Sequence, residues 1–112
     1  MSHHVWVELG AGGLPIRILR NKKDATTGFY REWPRRDAVS VIRHQIFLRS
    51  KGDCEFCASP ITEQGGHLHE QVPRGKGGEI SLANSIFICA TCHRLAHADR
   101  NPRFTKKDLT TE

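Results

Sequence analysis

No apolar run in this chain approaches the ~18 residues that a membrane-spanning helix requires. The opening MSHHVWVELG lacks the basic stretch followed by an apolar one that marks secretion. A cytoplasmic protein with no membrane partner is therefore expected. Internal repeats and low-complexity segments are missing as well. At 112 residues the chain has little room for a second core, since a domain of this size buries roughly 65% of its unfolded surface. Acidic residues are also scarce, and the shortage is local. Residues 1–53 carry ten Lys/Arg against five Asp/Glu, whereas residues 54–112 carry seven of each. A basic first half attracts polyanions through counterion release, which makes nucleic acid the natural partner.

Cysteine is present but confined to two pairs, Cys54-x-x-Cys57 and Cys89-x-x-Cys92. In a reducing compartment disulfides are disfavoured, and two such knuckles can place four thiolates around one tetrahedral ion. A structural zinc site is the expectation; a redox pair or unlinked buried thiols are the alternatives.

The first 33 residues read as an irregular or β-rich basic arm: VWVEL alternates, GAGG interrupts it, and PIRILR resumes extended character. From Pro34 to Arg49, Val39, Ile42, Ile46 and Phe47 recur at helical spacing, with Pro34 in an opening position and Asp37 near the positive end. The outer face of this helix offers Arg36, Arg43 and Arg49 to solvent or to phosphate. HLHEQV then reads as a strand, PRGKGGEISLAN as a long loop and SIFIC as a second strand. TCHRLAHAD follows as a short helix with Thr91 as a candidate cap and His93 and His97 one turn apart. The expected division is an arm over 1–33, a zinc-stabilised domain over 34–100 and a basic tail over 101–112.

A chain clamped at both knuckles must turn back on itself, so His69 at the end of the first strand can face His93 at the helix start. Two imidazoles beside the carboxylate of Glu70 have the makings of a second metal site with open positions. His69, Pro73, Gly77-Gly78, Asn84, Cys89, Cys92 and His93, with Cys54/Cys57 and the helix before them, resemble the HNH endonuclease family. The likeness covers about residues 37–98 and is strongest toward the small zinc-containing phage and bacterial members.

The resemblance implies an α+β fold: a ββα-metal (His-Me finger) core with a treble-clef-like structural zinc site, preceded by the helix and the arm. It implies a metal-dependent hydrolysis of DNA phosphodiester bonds that leaves a 5′ phosphate and a 3′ hydroxyl. His69 and His93 would hold the catalytic divalent ion, Asn84 would pin the loop, and Arg74 would lie near the DNA backbone. Lys76, Arg94 and Arg43 are further candidate phosphate contacts. Imidazole ligands favour Mn²⁺, Ni²⁺ or Zn²⁺, and Mg²⁺ can serve when phosphate oxygens and waters complete its shell.

One position departs from the family pattern. Glu70 stands where the usual general base is a histidine, and a carboxylate of ordinary pKa ~4.3 is a weaker base at neutral pH than an imidazole of ~6.5. Glu70 is read as the base and as a possible second-role ligand; in the latter case His67 or His97 would relay the proton. Gly77 and Gly78 are expected to supply positive φ in the loop. The competing reading is a non-catalytic zinc-containing module that holds nucleic acid without cutting it.

Overall fold

The computed structural model describes residues 3–98. The expected tail over 101–112 lies outside the described residues. In chain order the elements are β1 (His4–Leu9), β2 (Pro15–Leu19), β3 (Tyr30–Pro34), α1 (Arg35–Ser50), β4 (His67–Glu70), β5 (Ser85–Ile88) and α2 (Ala90–Ala98). Short 3₁₀ turns occupy Lys22–Asp24 and Arg74–Lys76. The result is a small mixed α/β protein, and no helix among the described residues is long and apolar enough to cross a membrane.

α1 forms where the apolar period placed it. Pro34 sits at its cap with φ already suited to a first turn, Asp37 lies against the positive end, and Lys51 closes it in a left-handed conformation. Ala38, Ile42 and Ile46, spaced by four, are fully buried, with Val39 and Phe47 packed at their flanks. Each isoleucine stabilises the fold by roughly 1.5–3 kcal/mol relative to leaving it in water.

The basic first segment resolves into a three-stranded antiparallel sheet in the order β2-β1-β3. Val7 and Ile18, paired across β1 and β2, join Ala38, Ile42, Ile46, Ile80 and Phe87 in one core, so the segment is part of the packed body. Glu8 points to the other face and is only 2% exposed. Its pairing partner Arg17 meets its carboxylate through Nε at 2.9 Å, and the Thr27 N–H (2.6 Å) and Thr26 hydroxyl (3.1 Å) complete the set. Burial alone would push this carboxyl up; the Thr27, Thr26 and Arg17 hydrogen bonds outweigh it and hold the pKa at about 2.

β4 and β5 form an antiparallel hairpin in which His67 faces Ile88, Leu68 faces Phe87, His69 faces Ile86 and Glu70 faces Ser85. Because side chains alternate along a strand, Phe87 enters the main core while Ile88 enters a second cluster with Cys54, Phe56, Cys92 and Ala96. The hairpin thus separates two environments. Its loop is tied to the N-terminal sheet by the Ile18 N–H on the Ile80 carbonyl and the Leu82 N–H on the Ile16 carbonyl, both 2.9 Å.

Candidate functional site

On the α2 side of the hairpin the four cysteines converge, all sulfurs within 4.8 Å of one another. A tetrahedral zinc with Zn–S of ~2.3 Å spaces its sulfurs roughly 3.8 Å apart. Cys57 and Cys89 are already 3.8 Å apart, so the four cysteines can hold a zinc ion. The backbone supports this arrangement. N–H groups of Phe56, Cys57 and Cys89 donate to Cys54 Sγ, and that of Cys92 donates to Cys89 Sγ, each at 3.4 Å. Hydrogen bonding with Ser59 is the main influence on Cys57 and holds its thiol at about 6, whereas burial pushes the Cys92 thiol up.

The last of these bonds corrects the expected helix cap. α2 begins at Ala90, one residue before Thr91, so Thr91 lies inside the first turn. Cys89 stands in the capping position, its sulfur taking the Cys92 N–H and its carbonyl taking the His93 N–H at 2.9 Å. One residue therefore closes the cysteine cluster and starts the helix that carries His93.

Three imidazoles gather beside the cluster. His69 and His93 meet edge to face, with ring centroids 5.7 Å apart and planes at 75°. His67 stacks on His93 at 4.8 Å and 13°. His67, named from the sequence only as a possible proton relay, is therefore a member of this group. Alternation was the signal available: residues 67 and 69 share one face of β4, and that face turns to α2. His97 lies in α2, and its side chain is outside the described residues.

Glu70, next to His69 in sequence, points to the opposite face. Among the described residues only the four cysteines converge as three or more His, Cys, Asp or Glu ligand atoms, so Glu70 does not join His69 and His93 around one point. Its Oε2 lies 3.6 Å from Arg74 Nη2, and its Oε1 is buried with no hydrogen bond. Asn84 fixes the loop behind it. The Asn84 Oδ1 accepts from the Val72 N–H at 2.9 Å, while Nδ2 donates to the carbonyls of Val72 (3.0 Å) and Glu79 (2.9 Å). The two glycines divide their work differently from expectation. Gly77 has φ +95, but Gly78 is needed for contact: a Cβ there would sit 1.6 Å from the Val72 oxygen.

The candidate phosphate contacts separate by what already holds them. Arg74, Lys76 and Arg94 are exposed around the hairpin loop and the start of α2. Arg43 is committed inside the molecule instead: its guanidinium donates to the carbonyls of Glu63 (2.7 Å) and Gly66 (2.5 Å) over the Phe87 ring. Arg49 makes a two-pronged bond to Glu55 at 2.8 and 2.6 Å and reaches the Leu82 and Ser85 carbonyls, docking the first knuckle against β5. His44 has Nδ1 3.0 Å from Glu63 Oε1. Helical spacing could place these side chains on an outer face but could not show which carbonyls the 51–66 segment would bring over them.

The chain is similar to the type IV methyl-directed restriction enzyme EcoKMcrA of Escherichia coli (strain K12), 29% identical over 69 residues. The match takes in 56% of this chain and 25% of that enzyme, so the chain spans about a quarter of the length of this curated relative. No protein-family model matches the chain, and no solved structure matches it.

Proposed function

We propose that this protein is a metal-dependent nuclease of the HNH type acting on DNA, with β4, β5 and α2 as its ββα-metal unit. The observation that carries the reading is the edge-to-face His69/His93 pair on a hairpin that a four-cysteine cluster can clamp. Rings near perpendicular can direct one nitrogen each toward a common point, which the nearly parallel His67 and His93 rings cannot do. With two imidazoles and no third convergent ligand among the described residues, the remaining positions are open to water and phosphate oxygens. The similarity to a restriction enzyme supports the same reading.

A divalent ion at this pair would supply Lewis-acid stabilisation of the phosphorane charge and of the departing 3′ oxygen. The chain supplies the rest. Glu70, which does not converge with His69 and His93, would take a proton from the attacking water. Arg74, Lys76 and Arg94 offset the charge that builds on the phosphate. Asn84 and Gly78 hold the loop so that Glu70 and Arg74 keep their separation. His67 sets the plane of His93 by stacking on it.

A second reading, a module that binds nucleic acid without cutting it, is favoured by the glutamate at position 70 and by the basic N-terminal half. Plasmid nicking with the zinc-loaded protein, titrated with Mg²⁺, Mn²⁺, Ni²⁺ and Zn²⁺, separates the two. Relaxed circles are expected with at least one ion; DNA binding with intact zinc content and no relaxation under any ion would leave the module.

A further inference from the structure

Two carboxylate oxygens among the described residues are buried without a hydrogen bond, Glu70 Oε1 and Glu79 Oε1. Both belong to residues that flank Arg74. Arg74 Nη2 is 3.6 Å from Glu70 Oε2, and its Nε is 3.9 Å from Glu79 Oε1. From the N-terminal sheet, Arg20 places Nε 3.7 Å from Glu79 Oε2 and donates through Nη2 to the Arg74 carbonyl at 2.5 Å. A row of alternating charges therefore runs Glu70, Arg74, Glu79, Arg20.

We propose that Glu79 is a positioning residue for Arg74, braced by Arg20, and that this is what the N-terminal sheet contributes to the site; the proposal rests on the nuclease reading. A buried carboxylate oxygen lacking a hydrogen bond is destabilising, so packing alone gives no reason for a glutamate at 79. The separations supply one. At 3.6–3.9 Å the carboxylates fix where the guanidinium sits without occupying its N–H groups, and the side chain stays 53% exposed. Its N–H groups are left to a stronger acceptor, for which a phosphodiester oxygen is the fitting chemistry.

Both anchors of the brace adjoin backbone that is tied down. Glu79 follows Gly78, pressed against the Val72 carbonyl, and its own carbonyl is held by Asn84. Arg20 follows β2, whose Ile18 N–H is bonded to the Ile80 carbonyl. The brace thus links residues 54 positions apart in sequence.

The test compares wild type, Glu79→Gln, Arg74→Ala and the double variant, all zinc-loaded. Duplex binding is read by anisotropy without added divalent ion, and plasmid nicking is read under saturating DNA. Removing the Glu79 charge relieves repulsion of the phosphates, so Glu79→Gln is expected to bind duplex roughly 2–5-fold more tightly. Its turnover should fall by about 10-fold or more, because Arg74 is no longer held in register. In the Arg74→Ala background Glu79→Gln should cost no further turnover. Unchanged turnover in Glu79→Gln, a parallel loss of binding and turnover with a lower melting temperature, or an undiminished effect in the Arg74→Ala background would each overturn the assignment. A wild type that nicks with none of the four ions would instead remove the nuclease reading itself.

Discussion

The two faces of the β4–β5 hairpin are built on different principles. On the α2 face the ordering comes from heteroatoms: four sulfurs in one cluster, backbone N–H groups aimed at them, and three imidazoles in ring contact. On the other face it comes from the apolar core under α1 and from charges laid along a pinned loop, Glu70, Arg74 and Glu79. His69 and Glu70 are adjacent in the chain yet fall on opposite sides of this division. The alternation of a strand therefore sets two residues that are neighbours in sequence into different environments.

The largest effect should come from breaking the α2 face at its sulfurs. Cys54→Ser or Cys92→Ser removes a ligand from a site whose occupancy is worth on the order of 10 kcal/mol in comparable small zinc folds. Zinc content measured by metal analysis should fall below one per chain, and the cooperative melt should be lost; a variant with an unchanged melt would show that the apolar core alone sustains the hairpin. Next, His93→Ala should leave zinc content and melting intact while nicking drops at least ~100-fold. Retained nicking would move the site elsewhere.

Glu70→Gln probes the opposite face and should slow turnover by ~10²–10⁴-fold with duplex binding kept. Equal losses from His93→Ala and Glu70→Gln, with no change in binding, would sharpen the picture of two faces serving one step. Gly78→Ala drives a Cβ into the Val72 carbonyl and should cost about 2–4 kcal/mol, read by denaturant unfolding.

The smallest effect lies farthest from the hairpin, at Glu8. Its pKa is held at about 2 against an ordinary 4.5, so its contribution is fully present above pH 4.5 and is lost as pH falls from there toward 2. Glu8→Gln should lower stability at pH 7 by about 1–2 kcal/mol and flatten the melting temperature between pH 4.5 and 2. An unchanged acid slope would place the pH sensitivity in other carboxylates.

Much of this division was legible before any coordinates. The Cys-x-x-Cys spacing announced a four-sulfur cluster because two short knuckles leave the thiols few other arrangements. The apolar period announced α1 because a helix repeats its inner face every three to four residues. His69 and His93 were legible as a pair because the knuckles oblige strand and helix to meet. Arg43 and Arg49 misled because a helical wheel shows which way a side chain leaves the helix, not which carbonyl closes over it. Thr91 misled because a sulfur took the capping role usually given to a hydroxyl.

By itself, then, the sequence determined the local periods and the cysteine ligand set, which depend on neighbours a few positions apart. Tertiary structure alone decided that the basic first segment joins the core through Val7 and Ile18, that Arg20 reaches the Arg74–Glu79 pair, and that His67 stacks on His93. Each of those is a contact across a long stretch of chain, set by how the sheet, α1 and the hairpin pack, and no local spacing encodes it.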